Sequence, residues 1–288
     1  MKILITGING FIGRYTANAF LSCGAGVTGT DRQISCHRED IPYIQADLTE
    51  SEALKPLADM GSYDCLVHLA ANLEITSVST LFTNTIGTYN ALQLAVRTGC
   101  TRVLHLSSIP VVGCPQDGKP VDETTPCNPR TLYHVSKYAA EQLVMLPEFA
   151  VMQRYNLRIA SPIGPGMPKT FLRIMLEAAR AGKPLTLYGT GARVQNYIDV
   201  RDIAAALVQV VQAKPPEGCY LLGGTSCSNR EAARLCIAAA NQKAELVFTG
   251  EPDPFECERW FVDDTKAREA FGYRPKYTLK RSLSDSLE

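Results

Sequence analysis

The chain has 288 residues, with 29 Lys plus Arg balancing 29 Asp plus Glu and a formal net charge of zero. It has no basic stripe, no acidic tail and no apolar run of about 18 residues. Composition therefore gives no support to a nucleic-acid partner, a membrane-surface role or a membrane span. This length can bury a substantial core, as one large domain or two modest ones, without disulfide or metal staples. The first residues form a short apolar run that enters a glycine-rich loop, which reads as a strand and not as a signal peptide. Ten cysteines include no C-x-x-C, and the four histidines (His37, His68, His105, His134) fall singly. The expectation is free thiols in a cytoplasmic chain and no metal site.

Residues 2–6 are the opening strand. Gly7-Ile8-Asn9-Gly10-Phe11-Ile12-Gly13 follows directly, and a helical pattern follows that. Strand, glycine loop and helix, in that order, are the context a dinucleotide fingerprint requires. The glycines permit a tight turn and close approach of the backbone to a pyrophosphate. The helix N-terminus adds free N–H groups and the positive end of its dipole. Gly7, Asn9, Gly10, Phe11, Ile12 and Gly13 are cofactor candidates, with a glycine-rich turn that binds nothing as the alternative.

A second strand, 27–30, ends at Asp31, 24 positions after Gly7. A carboxylate there can accept hydrogen bonds from a ribose hydroxyl and repels a 2′-phosphate, which favours NAD. Arg32 comes next and could pair with that phosphate, which keeps NADP open. Residues 43–46 read as a third strand ending at Asp47-Leu48, and 51–57 as a capped helix. Residues 65–69 read as a buried strand. Its end, Leu69-Ala70-Ala71, has small side chains against which a cofactor could lie, while His68 suits core packing. A helical pattern over 81–98 contains Asn84, and a strand over 102–106 ends at Ser107-Ser108. This alternation predicts an α/β fold, a Rossmann-like doubly wound parallel sheet. Ligands in such sheets bind beyond the carboxyl ends of the strands. Gly7, Asp31, Asp47, Ala70 and Ser108 all fall there.

After a proline-punctuated loop at 123–129 comes Tyr133-His134-Val135-Ser136-Lys137. Four positions apart on a helix, Tyr133 and Lys137 share one face. A tyrosine has a pKa of about 10 and is a poor base near neutrality. A nearby ammonium favours the phenolate and makes a general base for a hydroxyl proton. Taken alone, Y-x-x-x-K equally suits an amphipathic helix with a solvated lysine. A strand over 150–159 precedes Ser161-Pro162-Ile163-Gly164-Pro165-Gly166, where the main boundary is placed. Residues 1–160 form the expected dinucleotide-binding domain, with 193–224 packing back onto it. Residues 161–288 form a smaller α/β substrate-binding region, with helices over 170–181, 203–212 and 279–287.

Ser108, Tyr133 and Lys137, together with the G-x-x-G-x-x-G loop, resemble the extended short-chain dehydrogenase/reductase family. The closer likeness is to its NAD-dependent epimerase/dehydratase branch, which acts on nucleotide sugars. His68-Leu69-Ala70-Ala71, Asn84 before Gly87-Thr88, and Ser107-Ser108 with Gly113 beyond it carry the same resemblance. It implies that Tyr133 takes a hydroxyl proton while the nicotinamide accepts a hydride. It also implies that Ser108 bonds the reacting oxygen and that Lys137 holds the ribose and supports the phenolate, with the cationic nicotinamide lowering the tyrosine pKa further. Similar dehydratases carry an Asp-Glu pair after this serine, and related decarboxylases a glutamate. Here Ile109-Pro110 stands there, which disfavours both reactions unless an acid arrives from elsewhere in the fold.

Three departures concern substrate binding. Ser161 stands where such epimerases have a substrate-contacting asparagine. Gln195 stands in register with a diphosphate-gripping arginine, with Arg193 two positions earlier. A second arginine is replaced by the region of Asp253-Pro254, with Arg259 displaced. Ser108, Ile109, Ser161, Arg193 and Gln195 are the substrate-binding candidates. The expected function is an NAD-dependent epimerase of a nucleotide sugar, acting at C4, in a homodimer built through the tyrosine helix. An NAD(P)-dependent reductase or dehydrogenase of another alcohol or ketone is the alternative, separated by net consumption of cofactor. A non-catalytic nucleotide-binding regulator is disfavoured because both Tyr133 and Lys137 are retained.

Overall fold

All four residues of Cys65–His68 are buried, as befits a strand at the centre of a parallel sheet covered by helices on both faces. The structure is a computed structural model and describes residues 1–114 and 118–287. In chain order its elements begin with β1 (Lys2–Thr6), α1 (Phe11–Ser22), β2 (Gly26–Asp31), β3 (Tyr43–Gln45), α2 (Lys55–Asp59), β4 (Cys65–His68) and α3 (Val78–Arg97). Next come β5 (Arg102–Ser108), α4 (Leu132–Val144), β6 (Gln153–Ile159), β7 (Ser161–Ile163), α5 (Phe171–Arg180), β8 (Leu185–Leu187) and β9 (Val194–Asp199). The chain closes with α6 (Val200–Ala213), β10 (Gly218–Leu222), β11 (Thr225–Ser228), α7 (Asn229–Ala240), β12 (Leu246–Phe248), α8 (Thr265–Phe271) and α9 (Leu279–Asp285).

Among the described residues seven strands form one parallel sheet in the order β10-β6-β5-β4-β1-β2-β3. This is the Rossmann-like, doubly wound architecture. The chain runs outward from β1 to β3, then returns to place β4 on the other side of β1. The crevice at the carboxyl ends of β1 and β4 is therefore the switch point at which such sheets hold ligands. Side chains alternate between faces as the strand period requires. Ile3, Ile5, Val67, Leu104 and Leu157 join one core with residues of α1 and α6. Leu4, Leu66 and Val103 join the other, with Ala91, Leu92 and Ala95 of α3 and Val144 of α4.

A third core, including Ile163, Leu172, Leu176, Leu185, Tyr197 and Leu283, organises the smaller region around the sheet β11-β9-β7 and the pair β12-β8. That region is not one continuous stretch. β10 pairs with β6, and residues of α6 and β10 lie in the core that holds Phe20 of α1. Ala267, Phe271 and Tyr273 enter the same core, so α8 sits with the large sheet and not, as expected, with the smaller region.

Several boundaries differ from expectation for local reasons. α3 starts at Val78 because the Ser77 side chain accepts a hydrogen bond from the Ser79 amide. α6 starts at Val200 because Asp199 caps the Arg201 amide at 2.8 Å. β6 starts only at Gln153 because a 3-10 turn occupies Pro147–Phe149. The expected helix at 51–57 divides into a 3-10 turn, Ser51–Leu54, followed by α2.

Candidate active site

β1 runs into Gly7, whose φ of +69° suits glycine. A Cβ there would stand 2.7 Å from the Ala70 amide nitrogen, and a Cβ on Gly13 would stand 2.2 Å from the Gly7 carbonyl oxygen. The loop is thus closed against the end of β4 and against itself by the lack of side chains. Gly10 precedes α1 with no side-chain cap, so the first-turn N–H groups remain open to an anion. Asp31, at the end of β2, accepts from the Asn9 amide at 3.2 Å. Together Gly7, Gly10, Asp31, Arg32, Asp47, Leu48, Leu69, Ala70 and Ala71 line a groove of about 210 Å³. A cradle without Cβ atoms, open helix N–H groups and a carboxylate beyond them fit a dinucleotide.

The other cofactor candidates serve the groove less directly. Asn9 turns its carboxamide to the neighbouring loop, donating to the Ser35 carbonyl and accepting from the His37 amide, both at 2.8 Å. Phe11 packs edge-on against Tyr15, and Ile12 against the core. Asn84 is buried, and its amide hydrogens go to the Asn72 carbonyl and to Ser136 Oγ at 2.9 and 2.8 Å. It therefore ties the segment after β4 to α4; both its donors are already engaged.

At the end of β5, Ser108 lies beside the Tyr133 side chain and favours its charged form. Thr131 caps α4 by accepting from the His134 amide, which starts the helix just ahead of Tyr133. Burial pushes the Tyr133 phenol up to about 12, opposed by Ser108. Burial disfavours the phenolate, and the support expected from Lys137 and a bound nicotinamide has to outweigh it. Lys137 is itself buried, and its Nζ lies 2.9 Å from His105 Nε2. Burial lowers its pKa to about 8, with Glu141 opposing. One turn further along α4, Glu141 is paired with Arg158 of β6 through two hydrogen bonds, at 2.9 and 2.7 Å.

A second cavity, of about 320 Å³, opens beside these groups. Ile109 and Pro110, directly after Ser108, line it, as do Arg130, Thr131 and His134 on either side of Tyr133. Ser161, Arg193 and Gln195 join them from the smaller region, so of the substrate candidates Ile109, Ser161, Arg193 and Gln195 line this cavity and Ser108 does not. Arg193 holds Glu258 at 2.7 Å and stacks over Phe255, while its buried Nε is unpaired. Gln195 donates to Asn229 Oδ1 at 2.9 Å. The Arg259 guanidinium is tied to the Glu256 and Glu258 carbonyls.

Glu258 and Trp260 in this wall, and His105 behind Lys137, were not foreseen from the sequence. The segment at 254–262 carries no motif, and His105 stands in an apolar strand. Glu258 is an acid arriving from elsewhere in the fold, but Arg193 and the Trp260 indole, at 3.3 Å, both engage its carboxylate.

A switch-point dinucleotide groove joined to a Ser–Tyr–Lys cluster defines an enzyme of the extended short-chain dehydrogenase/reductase type. Residues 3–223 match the NAD dependent epimerase/dehydratase family, and the chain belongs to that family, with NAD as its cofactor. A UDP-glucose 4-epimerase from Mycolicibacterium smegmatis is 26% identical over 308 residues, covering 100% of this chain and 98% of that protein. A probable dTDP-glucose 4,6-dehydratase from Sinorhizobium fredii is 24% identical, covering 100% and 92%. The crystal structure of a UDP-glucose 4-epimerase with UDP-glucose from Thermotoga maritima superposes with a TM-score of 0.89 at 22% identity, covering 100% of this chain and 97% of that one. The fold is shared, while the relatives divide among epimerases, dehydratases and UDP-glucuronic acid decarboxylases.

Proposed function

We propose that the protein is a nucleotide-sugar epimerase that uses NAD without consuming it. The observation that carries this is the placement of Ser108 beside Tyr133, next to a cavity lined by the two apolar residues that follow the serine, Ile109 and Pro110. Such a site can move a hydroxyl proton but has no free acid beside Ser108 to expel water. Glu258, the acid that does reach the cavity, is held as an ion pair by Arg193.

In this reading Ser108 donates to the substrate oxygen and Tyr133 accepts its proton, with the Lys137 ammonium nearby to favour the phenolate. Bound NAD supplies a positive ring that favours the phenolate further, and an acceptor for the substrate hydride that can give it back. The ketone so formed turns over in the cavity before the proton and hydride return. Arg130 lines the same space and suits a charge of a diphosphate.

The test is an NMR time course with UDP-, GDP- and dTDP-sugars, catalytic NAD and no reductant. Interconversion of one sugar with its epimer at constant NADH is the expected result. Stoichiometric appearance of NADH, or loss of water from the sugar, would replace the proposal with a dehydrogenase or a dehydratase.

We also propose a homodimer through α3 and α4. Val78, Phe82 and Ile86 are exposed at a spacing of four along α3, and Val135 is exposed on the adjoining α4, which makes an apolar stripe suited to a second copy. Sedimentation of Phe82→Asp should give a monomer where the parent gives a dimer. A parent that sediments as a monomer ends the idea.

A further inference from the structure

One fully buried polar group near the site has no role in the scheme above. His105 is fully buried in β5, and its Nε2 is the hydrogen-bond partner of the Lys137 ammonium at 2.9 Å. An ammonium can only donate, so Nε2 must carry a lone pair and the ring proton must sit on Nδ1. Nδ1 lies 2.8 Å from Asn156 Oδ1, an acceptor. The Asn156 orientation is in turn fixed, because its Nδ2 donates to the Glu141 carbonyl at 3.2 Å. Every donor in this chain meets an acceptor in one tautomer and in no other.

The neighbourhood keeps the imidazole neutral. His68 stacks on it with ring centroids 5.7 Å apart and is itself held between Thr6 at 2.8 Å and Thr88 at 2.9 Å. Burial, Lys137 and His68 together push the His105 pKa well below the usual imidazole range. The other charged groups packed here are Glu141 on α4 and Arg158 on β6, and they neutralise one another. Tyr133 lies on the helix face of Lys137. Glu141 is thus committed to Arg158 and to the Ser107 hydroxyl, and the acceptor left for Lys137 is His105.

We propose that His105 is a positioning residue, a neutral acceptor that holds one N–H of Lys137 and keeps it an ammonium, leaving the other two N–H groups for cofactor hydroxyls and the Tyr133 oxygen. This rests on Lys137 belonging to the catalytic site, and its tests do not require that the substrate be known. Loss of the acceptor leaves a buried charge with fewer partners, so Lys137 gives up its proton at lower pH. Glutamine can reproduce the pattern, accepting from Lys137 with its carbonyl and donating to Asn156 with its amide.

The first measurement needs no variant. In 15N-histidine spectra of the NAD-bound protein, His105 should show a protonated Nδ1 and a bare Nε2 from pH 6 to 9. An Nε2–H tautomer or an imidazolium overturns the proposal. The second is NAD affinity against pH. Binding by the parent should weaken as pH rises through about 8. His105→Leu should move that midpoint down by about one unit and, at pH 9, above both midpoints, weaken NAD binding by about tenfold. His105→Gln should restore both, to within about threefold in affinity. An unshifted midpoint in His105→Leu, or equal shifts in the two variants, contradicts the role. If these results hold while no nucleotide sugar is turned over, His105 keeps its role and only the substrate assignment falls.

Discussion

Replacing Tyr133 with phenylalanine will lower kcat by about 10²- to 10⁴-fold, the range expected for removing a general acid–base group, and will change the Kd for NAD by less than about threefold. The side chain keeps its ring and loses only the phenol oxygen that Ser108 neighbours. The groove formed by Gly7, Gly10 and Asp31 lies at other strand ends and is untouched. The split between turnover and binding is the informative part. Titration of NAD into the variant, beside single-turnover kinetics, measures both. A variant that retains more than a tenth of parental turnover would mean that another group takes the proton, and His134, which lines the same cavity, would be examined next.

Arg158→Ala will destabilise the fold by roughly 3–5 kcal/mol, measured as the shift in denaturant midpoint at fixed m. The Arg158 and Glu141 side chains are 6% and 3% exposed, 2.7 Å apart. Deleting one leaves the other charged in a dry interior. Replacing both, as in Arg158→Met with Glu141→Leu, should cost far less, because no charge is stranded. The single variant will also affect chemistry. A Glu141 freed from Arg158 is available to Lys137, whose charge it already favours. The NAD-binding midpoint should therefore rise above that of the parent. A loss below about 1 kcal/mol would show that water reaches the pair.

The parts of this site that were legible in the sequence are those in which function depends on short-range spacing. The Gly7 to Gly13 loop sits between a strand and a helix whose periods can be read directly. Asp31 closes the next strand, and Tyr133 and Lys137 lie one turn apart on a helix. What stayed hidden depends on contacts across the fold. His105 and Asn156 are 51 positions apart and meet because β5 and β6 are neighbours in register. Glu258 and Trp260 reach the cavity from a segment with almost no regular structure, through single bridges such as Val194 to Arg259. Helical spacing describes which face a lysine occupies, but whether its charge reaches the phenol depends on what else accepts from it.

The return of Gly218–Leu222 to the edge of the large sheet has a consequence during synthesis. When residue 159 leaves the ribosome, the outer edge of β6 has no neighbour. Its partner follows about 60 residues later, roughly 3–12 seconds at ~5–20 residues per second. Throughout that interval the nascent chain exposes an unpaired strand next to a core that still lacks α6 and Phe271. The order of translation therefore makes the smaller region's first helix, α5, emerge ahead of the strand that seals the nucleotide-binding half. A slow stretch of codons after residue 222 would give that seal time to form, whereas one just after residue 159 would prolong the exposure.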